Sequence, residues 1–496
     1  MDNRFDFLEE VPEKAGVSSD DIAAFIDDLE KNGMFMHSIL LIRKGKVLAE
    51  GYYSPFKKDE LHRAYSISKT FTATAIALLC EEGRLSLSDK VYKFFPDKCP
   101  DDLHPYIKDV TVRDLLMMST PFEGSTYRTT DKDWAWTFFN TKPSHPAGTV
   151  FRYDTSGTYI LSTIVERMTK KTYLEYLKDK FLRDMGFSEN AWCIKAPEGN
   201  SWGGSGVMCT TRDLARLGML YLNNGRVGDK QILSEGYVKA ATSKQIDNNP
   251  EGHEMNYRFG YGYKIWITPD GSFSFMGMGN QEVICIPDKD FMFVCTADNQ
   301  GNLVSEALIY ELLWKHIVSK LSDKPLTENE NAYKNLKEKL SDLSLHKIRG
   351  AAHSKAEKEI DSVRYELNEN NMQISKIHFE FLEDCGKLCY TTPRGDKEIL
   401  FGYGEYKIGT FPETHYYGDT IGTPSGREYR CAAIGVWTEE NKLVIKVNII
   451  DDYLGNLSIT CGFKEDEVGI YMYKAAEWFL NEYFGFAGGK KIKSIL

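Results

Sequence analysis

The chain has 496 residues, 42% of them apolar and 13% aromatic, which suffices for large cores and is long for one domain, so two or three domains are expected. Its net charge of −11 excludes the basic surface that nucleic acid or an anionic membrane would need, and it says nothing of substrate. The stretch Met1–Lys14 carries acids without an apolar signal-peptide core, and no run of about 18 apolar residues occurs, so a secreted or membrane-spanning chain is not expected.

The ten cysteines are scattered, and Cys80, Cys209, Cys285 and Cys295 lie inside apolar runs, as suits free thiols in a reducing cytoplasm. Cys385 and Cys389 are a lone close pair with no second pair or neighbouring histidine cluster in the sequence, so no metal site is assigned.

Ser18-Ser19-Asp20-Asp21 starts an amphipathic helix with Ile22, Phe25, Ile26 and Leu29 inward, ended by Gly33. Ser38–Arg43 and Val47–Tyr53 flank Lys44-Gly45-Lys46 as a β-hairpin. Tyr65-Ser66-Ile67-Ser68-Lys69-Thr70 then leads into the Ala-rich run Phe71–Cys80, which reads as a buried helix stopping near Gly83. Thr111 caps a helix start, and the segment from about 120 to 150, rich in Trp, Phe, Thr and Pro, reads as loops and short helices walling a pocket. Phe151-Arg152-Tyr153-Asp154-Thr155-Ser156-Gly157 precedes an apolar helix over Tyr159–Met168. Gly203-Gly204-Ser205-Gly206 is a turn without the Gly-x-Ser-x-Gly elbow, followed by a helix over Asp213–Leu222 capped by Thr210 or Thr211. Three short strands, Phe273–Met278, Glu282–Pro287 and Phe291–Thr296, precede a helix over Val304–Leu321. The stretch 324–360 is charged and helical in pattern and reads as a connector. From Val363 on, alternation predicts seven or eight antiparallel strands and a small barrel or sandwich.

Chemistry concentrates at Ser66. A serine at the start of a buried helix sits where backbone N–H groups are free and the dipole favours negative charge. Lys69, three residues on, lies on the same helix face, and a desolvated lysine amine can take a serine proton. Ser-x-x-Lys also occurs at Ser54–Lys57 and Ser344–Lys347, but only Ser66–Lys69 has the buried-helix setting.

Taken in order, four stretches resemble the serine β-lactamase and penicillin-binding-protein superfamily, in its class C β-lactamase-like branch of esterases, D-aminopeptidases and DD-peptidases. They are Ser66-Ile67-Ser68-Lys69, Phe151-Arg152-Tyr153 before Gly157, Gly203–Val207 with Thr211-Arg212-Asp213-Leu214-Ala215, and Phe275-Met276-Gly277-Met278-Gly279-Asn280-Gln281. The resemblance spans residues 18–320. It implies an α/β (α+β) fold: an antiparallel sheet flanked by helices with an inserted helical subdomain, the site lying between them. The strand-rich end looks like the lipocalin-like β-barrel often fused to such enzymes. The expected domains are 1–323 for the hydrolase, 324–360 for the connector and 361–496 for the barrel.

The resemblance also implies roles. Ser66 would be the acylated nucleophile, Lys69 and Tyr153 would share proton transfer, and the backbone N–H groups of Ser66 and Met278 would form the oxyanion hole. Thr155 stands where the family has an amide-binding Asn, and Phe275 where it has the Lys or His that holds a substrate carboxylate, beside Gly277. A neutral group is therefore expected to pack on Phe275, unless Arg152 or Arg258 replaces the cation. Ser119-Thr120-Pro121 replaces the family's His-Thr-Ser-Gly and changes a packing turn. The expected protein is a cytoplasmic serine hydrolase acting through an acyl-enzyme on a small ester or amide, without cofactor or metal, nucleic acid or membrane, its oligomeric state left open. Acyl transfer behind the aromatic 122–141 segment, weak β-lactamase or DD-peptidase activity, and a non-catalytic binding protein are the alternatives.

Overall fold

In the computed structural model, residues 7–128, 130–248, 259–414, 427–476 and 479–492 are described, and they form two compact units that divide between Ser344 and Leu345.

The first unit is built on a seven-stranded sheet in the order Leu8–Glu9, Lys46–Tyr52, Met36–Arg43, Phe291–Ala297, Gln281–Ile286, Phe273–Gly277, Trp266–Ile267. Only the first pair is parallel. The predicted hairpin and the three predicted strands are all present, and they meet where Met36–Arg43 pairs with Phe291–Ala297. Between the strands Lys46–Tyr52 and Trp266–Ile267, which lie towards opposite edges of the sheet, the chain forms the helices from Ser68–Glu81 to Glu235–Ala241. The helices Ser19–Lys31 and Ser305–His316 cover one face through Phe25, Ile26, Ile309 and Leu313, all fully buried. Ser18 caps the first of them by accepting the Asp21 N–H. On the other face, Gly218 of the Thr211–Leu222 helix leaves room for Met292 and Val283. Thr210 and Asp213 close that helix's capping box.

The charged stretch after 324 is not one connector. A helix over Glu330–Ser341 inserts Leu336, fully buried, into the first unit's core, because two apolar positions, Ala332 and Leu336, suffice to dock an otherwise polar helix.

The second unit is a closed barrel. Nine strands ring it: Tyr365–Leu367, Lys376–Phe381, Gly386–Thr392, Gly395–Tyr403, Tyr429–Glu439, Lys442–Ile450, Leu454–Lys464, Glu467–Ala476 and Gly485–Lys491. Closure comes from Gly402 and Tyr403 pairing with Ile434 and Gly435, and a further strand, Lys407–Phe411, pairs along Tyr429–Glu439. Phe379, Leu388, Ile399, Phe401, Ile445 and Ile459 are fully buried inside. Closure removes the exposed edges that an open sheet of this size would present. Two strands beyond those expected, Glu467–Ala476 and Gly485–Lys491, complete the ring; the second, with Gly485, Gly488 and Gly489, has too few apolar side chains for alternation to reveal it. Among the described residues, no helix is long and apolar enough to cross a membrane.

Candidate active site

Tyr65–Ile67 form one 3-10 turn that runs directly into the Ser68–Glu81 helix. Tyr65 has φ +46, a left-handed conformation that costs a bulky residue energy and turns the chain sharply just before Ser66. The Arg63 guanidinium, fully buried, lies over the Tyr65 ring at 4.2 Å and donates to the Ser205 carbonyl at 3.1 Å. The Ser68 hydroxyl accepts the Val207 N–H at 3.0 Å, so the Gly203–Val207 turn is fastened to the Ser66 turn from both sides.

The Lys69 amine is 1% exposed. It donates to the Ser66 hydroxyl at 2.9 Å and to the Gly204 carbonyl at 2.7 Å. Gly204 gives Thr155 room: a Cβ there would lie 2.4 Å from the Thr155 methyl, which would have to shift. Lys69 also sits over the Tyr153 ring, 4.9 Å from its centre. Burial pushes the Tyr153 phenol well above its ordinary pKa, a hydrogen bond with Ser66 pulls the other way, and the Glu306 carboxylate raises it further. Tyr153 is therefore a neutral phenol at ordinary pH. Tyr153, distant in the sequence, thus meets Ser66 and Lys69 in one place.

Tyr153 stands just before the helix Thr155–Thr169, whose cap is Asp154. Asp154 is fully buried, receives the Thr120 hydroxyl at 2.9 Å and the Ser156 hydroxyl at 2.6 Å, and so fixes the turn that aims Tyr153. Thr120, in the sequence stretch expected to alter only a packing turn, is part of that support. Thr155 itself packs on Gly204 and donates its N–H to Ser125.

The strand Phe273–Gly277 closes the other side. Gly277 lies so near the Ser66 turn that a Cβ there would meet the Ala64 carbonyl at 2.4 Å. Met278 follows Gly277 in the hairpin turn with Gly279 (φ +78) and Asn280 (φ +68).

Phe275 is not where a substrate would meet it. Its ring is fully buried on the core side of the sheet, edge-on to Tyr221 at 5.4 Å. Alternation along the strand turns Met276, half-buried, to the opposite side, where it packs against the cluster of Met118, Tyr261 and Trp266 that Tyr153 also packs against. The expected packing of a neutral group on Phe275 is thus replaced by Met276. Arg152 is exposed and its guanidinium donates to the Glu123 carbonyl; Arg258 lies outside the described residues. The aromatic 122–141 segment packs inward: Tyr127 stacks on Trp134 at 3.9 Å and accepts the Trp202 indole N–H at 3.0 Å. It forms the helical subdomain's own core.

Two residues at the site carry no sequence signal. Trp266, on the edge strand, stacks on Tyr153 with ring centres 5.6 Å apart. Lys264 is 2% exposed and has φ +59. Its carbonyl accepts the Thr70 hydroxyl at 3.1 Å, next to Lys69 on the helix, and its amine donates to the Met118 sulfur at 3.0 Å. A thioether is a weak acceptor. Burial and the neighbouring Lys69 charge push the Lys264 amine well below its ordinary pKa, and Asp154 opposes them. Two buried amines thus lie within electrostatic reach of each other beside Ser66. A Tyr-Lys-Ile tripeptide gives no hint of this, since only the fold brings residue 264 against residue 70.

A family model described as "Beta-lactamase" matches residues 22–315. The 6-aminohexanoate-dimer hydrolase of Paenarthrobacter ureafaciens is 26% identical over 309 residues, 57% of this chain and 78% of that protein. "Protein flp" of Staphylococcus aureus strain MW2 is 29% identical over 177 residues, 32% of this chain and 35% of that protein. A crystallised 6-aminohexanoate-dimer hydrolase homologue from Bacillus anthracis superposes with a TM-score of 0.52 at 20% identity, covering 63% of this chain and 87% of that one, a likeness of fold.

Proposed function

The chain belongs to the beta-lactamase family, and from that premise we propose that it is a serine hydrolase that cleaves a small linear amide or ester through an acyl-enzyme on Ser66. The observation that carries the reading is the buried Lys69 amine at 2.9 Å from the Ser66 hydroxyl, with the Tyr153 ring beside both.

Lys69 takes the Ser66 proton as the oxygen attacks the carbonyl carbon, a step that only a neutral amine can perform. Tyr153, kept as a phenol, is suited to pass a proton to the leaving amine or alkoxide and not to serve as a resting phenolate. The N–H groups of Ser66 and Met278 are the donors assigned to the carbonyl oxygen as it gains charge, with Gly277 permitting the close approach. The Lys69 proton passes to Tyr153 as the phenol gives up its own, which restores the neutral amine; water then attacks the acyl-enzyme, Lys69 accepts the water's proton and returns it to the Ser66 oxygen as that oxygen leaves. An amide is favoured over a β-lactam acid for two reasons. The relative with 26% identity is named as the hydrolase of a 6-aminohexanoate dimer. The strand position that would hold a substrate carboxylate is Phe275, buried in the core, and desolvating a carboxylate without a partner costs several kcal/mol.

The test is intact-mass spectrometry after incubation with linear amides, short aryl esters and benzylpenicillin, with kcat/KM for each. An acyl adduct on Ser66 from an amide or ester, formed faster than from penicillin, is the expected result. Penicillin turnover equal to or faster than both overturns the substrate class, and no adduct on Ser66 with any of them overturns the mechanism.

A further inference from the structure

The barrel carries a second group of chemically active side chains, unrelated to Ser66. On the outer face of the ring, His378 and Glu380 of the Lys376–Phe381 strand lie beside Cys389 of the Gly386–Thr392 strand. His378 is directly opposite Cys389 in the antiparallel ladder, and Cys389 is directly opposite Glu398 on the next strand. One donor atom from each of His378, Glu380 and Cys389 lies within 4.8 Å of the other two, and the His378 Nε2 to Glu380 carboxylate distance is 3.5 Å. All three are half-buried. They border a surface cleft whose lining also includes Thr391, Glu398 and Leu400.

The geometry points to a divalent transition-metal site, of the zinc class, on this face of the barrel, held by His378 Nε2, a Glu380 oxygen and the Cys389 thiolate, with Glu398 as the fourth ligand. In a tetrahedral zinc site with bonds of about 2.0–2.3 Å, ligand atoms are about 3.3–3.8 Å apart, so a side-chain adjustment of about an ångström closes this one. The three strands are paired on both sides within the closed ring, so the donors are held in register before any ion arrives.

Charge supports the same reading. The Lys387 ammonium lies 3.9 Å from Glu380 and 3.5 Å from Glu398, filling the place where positive charge is needed. Its side chain is about a quarter exposed and can swing into solvent when an ion takes its place. Cys389 is a free thiol. Binding breaks the S–H bond, releases that proton to water and forms the metal–sulfur bond, with no redox change. Mixed sulfur, nitrogen and carboxylate donors favour zinc over magnesium or calcium.

The probe is cobalt(II) alone, added to the untagged full-length protein after treatment with a chelator. One equivalent should bind with a thiolate-to-cobalt charge-transfer band, and zinc should displace it. Cys389→Ser should abolish the band, His378→Gln should weaken binding at least about tenfold, and Cys385→Ser should change neither, each variant being checked for an unchanged thermal melt. No band at one equivalent, or a band that survives in Cys389→Ser or is unmoved in His378→Gln, overturns the site. Hydrolase activity enters none of these readouts.

Discussion

The polar groups of the two units are handled in opposite ways. Around Ser66 they are inside: Lys69, Lys264, Asp154 and Glu282 are each at most 2% exposed, and their neighbours are aromatic rings, a thioether and backbone carbonyls. In the barrel, the His378–Glu380–Cys389 group is on the outer face while the interior side of the same strands is apolar, with Phe379, Leu388 and Ile399 fully buried. The difference is one of what controls protonation. Inside the first unit, desolvation works against the charge of Lys264 and of Glu282, with Lys69 and Asn280 as their buried neighbours. On the barrel face, charges are balanced by mobile partners such as Lys387, and an added ion can replace them. Polar residues buried at such a cost mark chemistry; polar residues aligned on a surface mark binding at most.

The first way to break this comparison is Ser66→Ala. It should lower kcat/KM for the best amide or ester by about 10⁴-fold or more while leaving the circular dichroism spectrum unchanged. A variant with most of the wild-type activity would remove Ser66 from the reaction and with it the reason for burying the groups around it.

Lys69→Arg sharpens the point, because arginine keeps the charge and loses the base. It should fall about 10²–10⁴-fold, close to Lys69→Ala. Activity near wild type would mean that Lys69 supplies charge alone.

Lys264→Met removes the second buried amine and keeps the volume. The site's remaining amine then holds its proton to higher pH, so the acidic limb of the kcat/KM profile should move upward. Activity at neutral pH should drop about tenfold per unit of that shift and recover in alkaline buffer. An unshifted profile with uniformly lower activity would assign Lys264 to packing.

The smallest effect concerns Glu282, fully buried on the strand behind the Met278 turn, with one oxygen accepting the Asn280 amide at 2.9 Å. Burial raises its carboxyl from 4.5 to about 8. Between those values the folded protein holds a proton that the unfolded chain releases, so stability falls as pH rises through that window. Glu282→Gln should remove this term: its melting temperature should exceed wild type by a few degrees near pH 8 and match it near pH 5. An equal difference at both pH values would show that Glu282 does not carry the proton.

Much of this was legible in local pattern. The hairpin, the three strands, the capped helices and the barrel's alternation follow from periodicity and turn residues, because those report which face of an element is apolar. That Ser66 and Lys69 share one face at a helix start was legible in local pattern, whereas Tyr153 was singled out only by the family resemblance and its place beside Lys69 comes from the fold. Phe275 was misplaced for a reason of the same kind: the motif gives the position on the strand, but the side of the sheet depends on register, and here register turns Phe275 inward to Tyr221 and Met276 to the Met118, Tyr261 and Trp266 cluster.

What the sequence determined by itself is therefore the set of elements, the order of the motifs and the residues able to act as nucleophile and base. Tertiary structure alone decided the environments. It put Lys264 against Thr70, Trp266 on Tyr153 and His378 opposite Cys389, pairs separated by as many as 194 positions in the chain. The physical reason is that a side chain's chemistry is intrinsic, while its charge and its partners depend on desolvation and proximity, and those exist only once distant segments have packed.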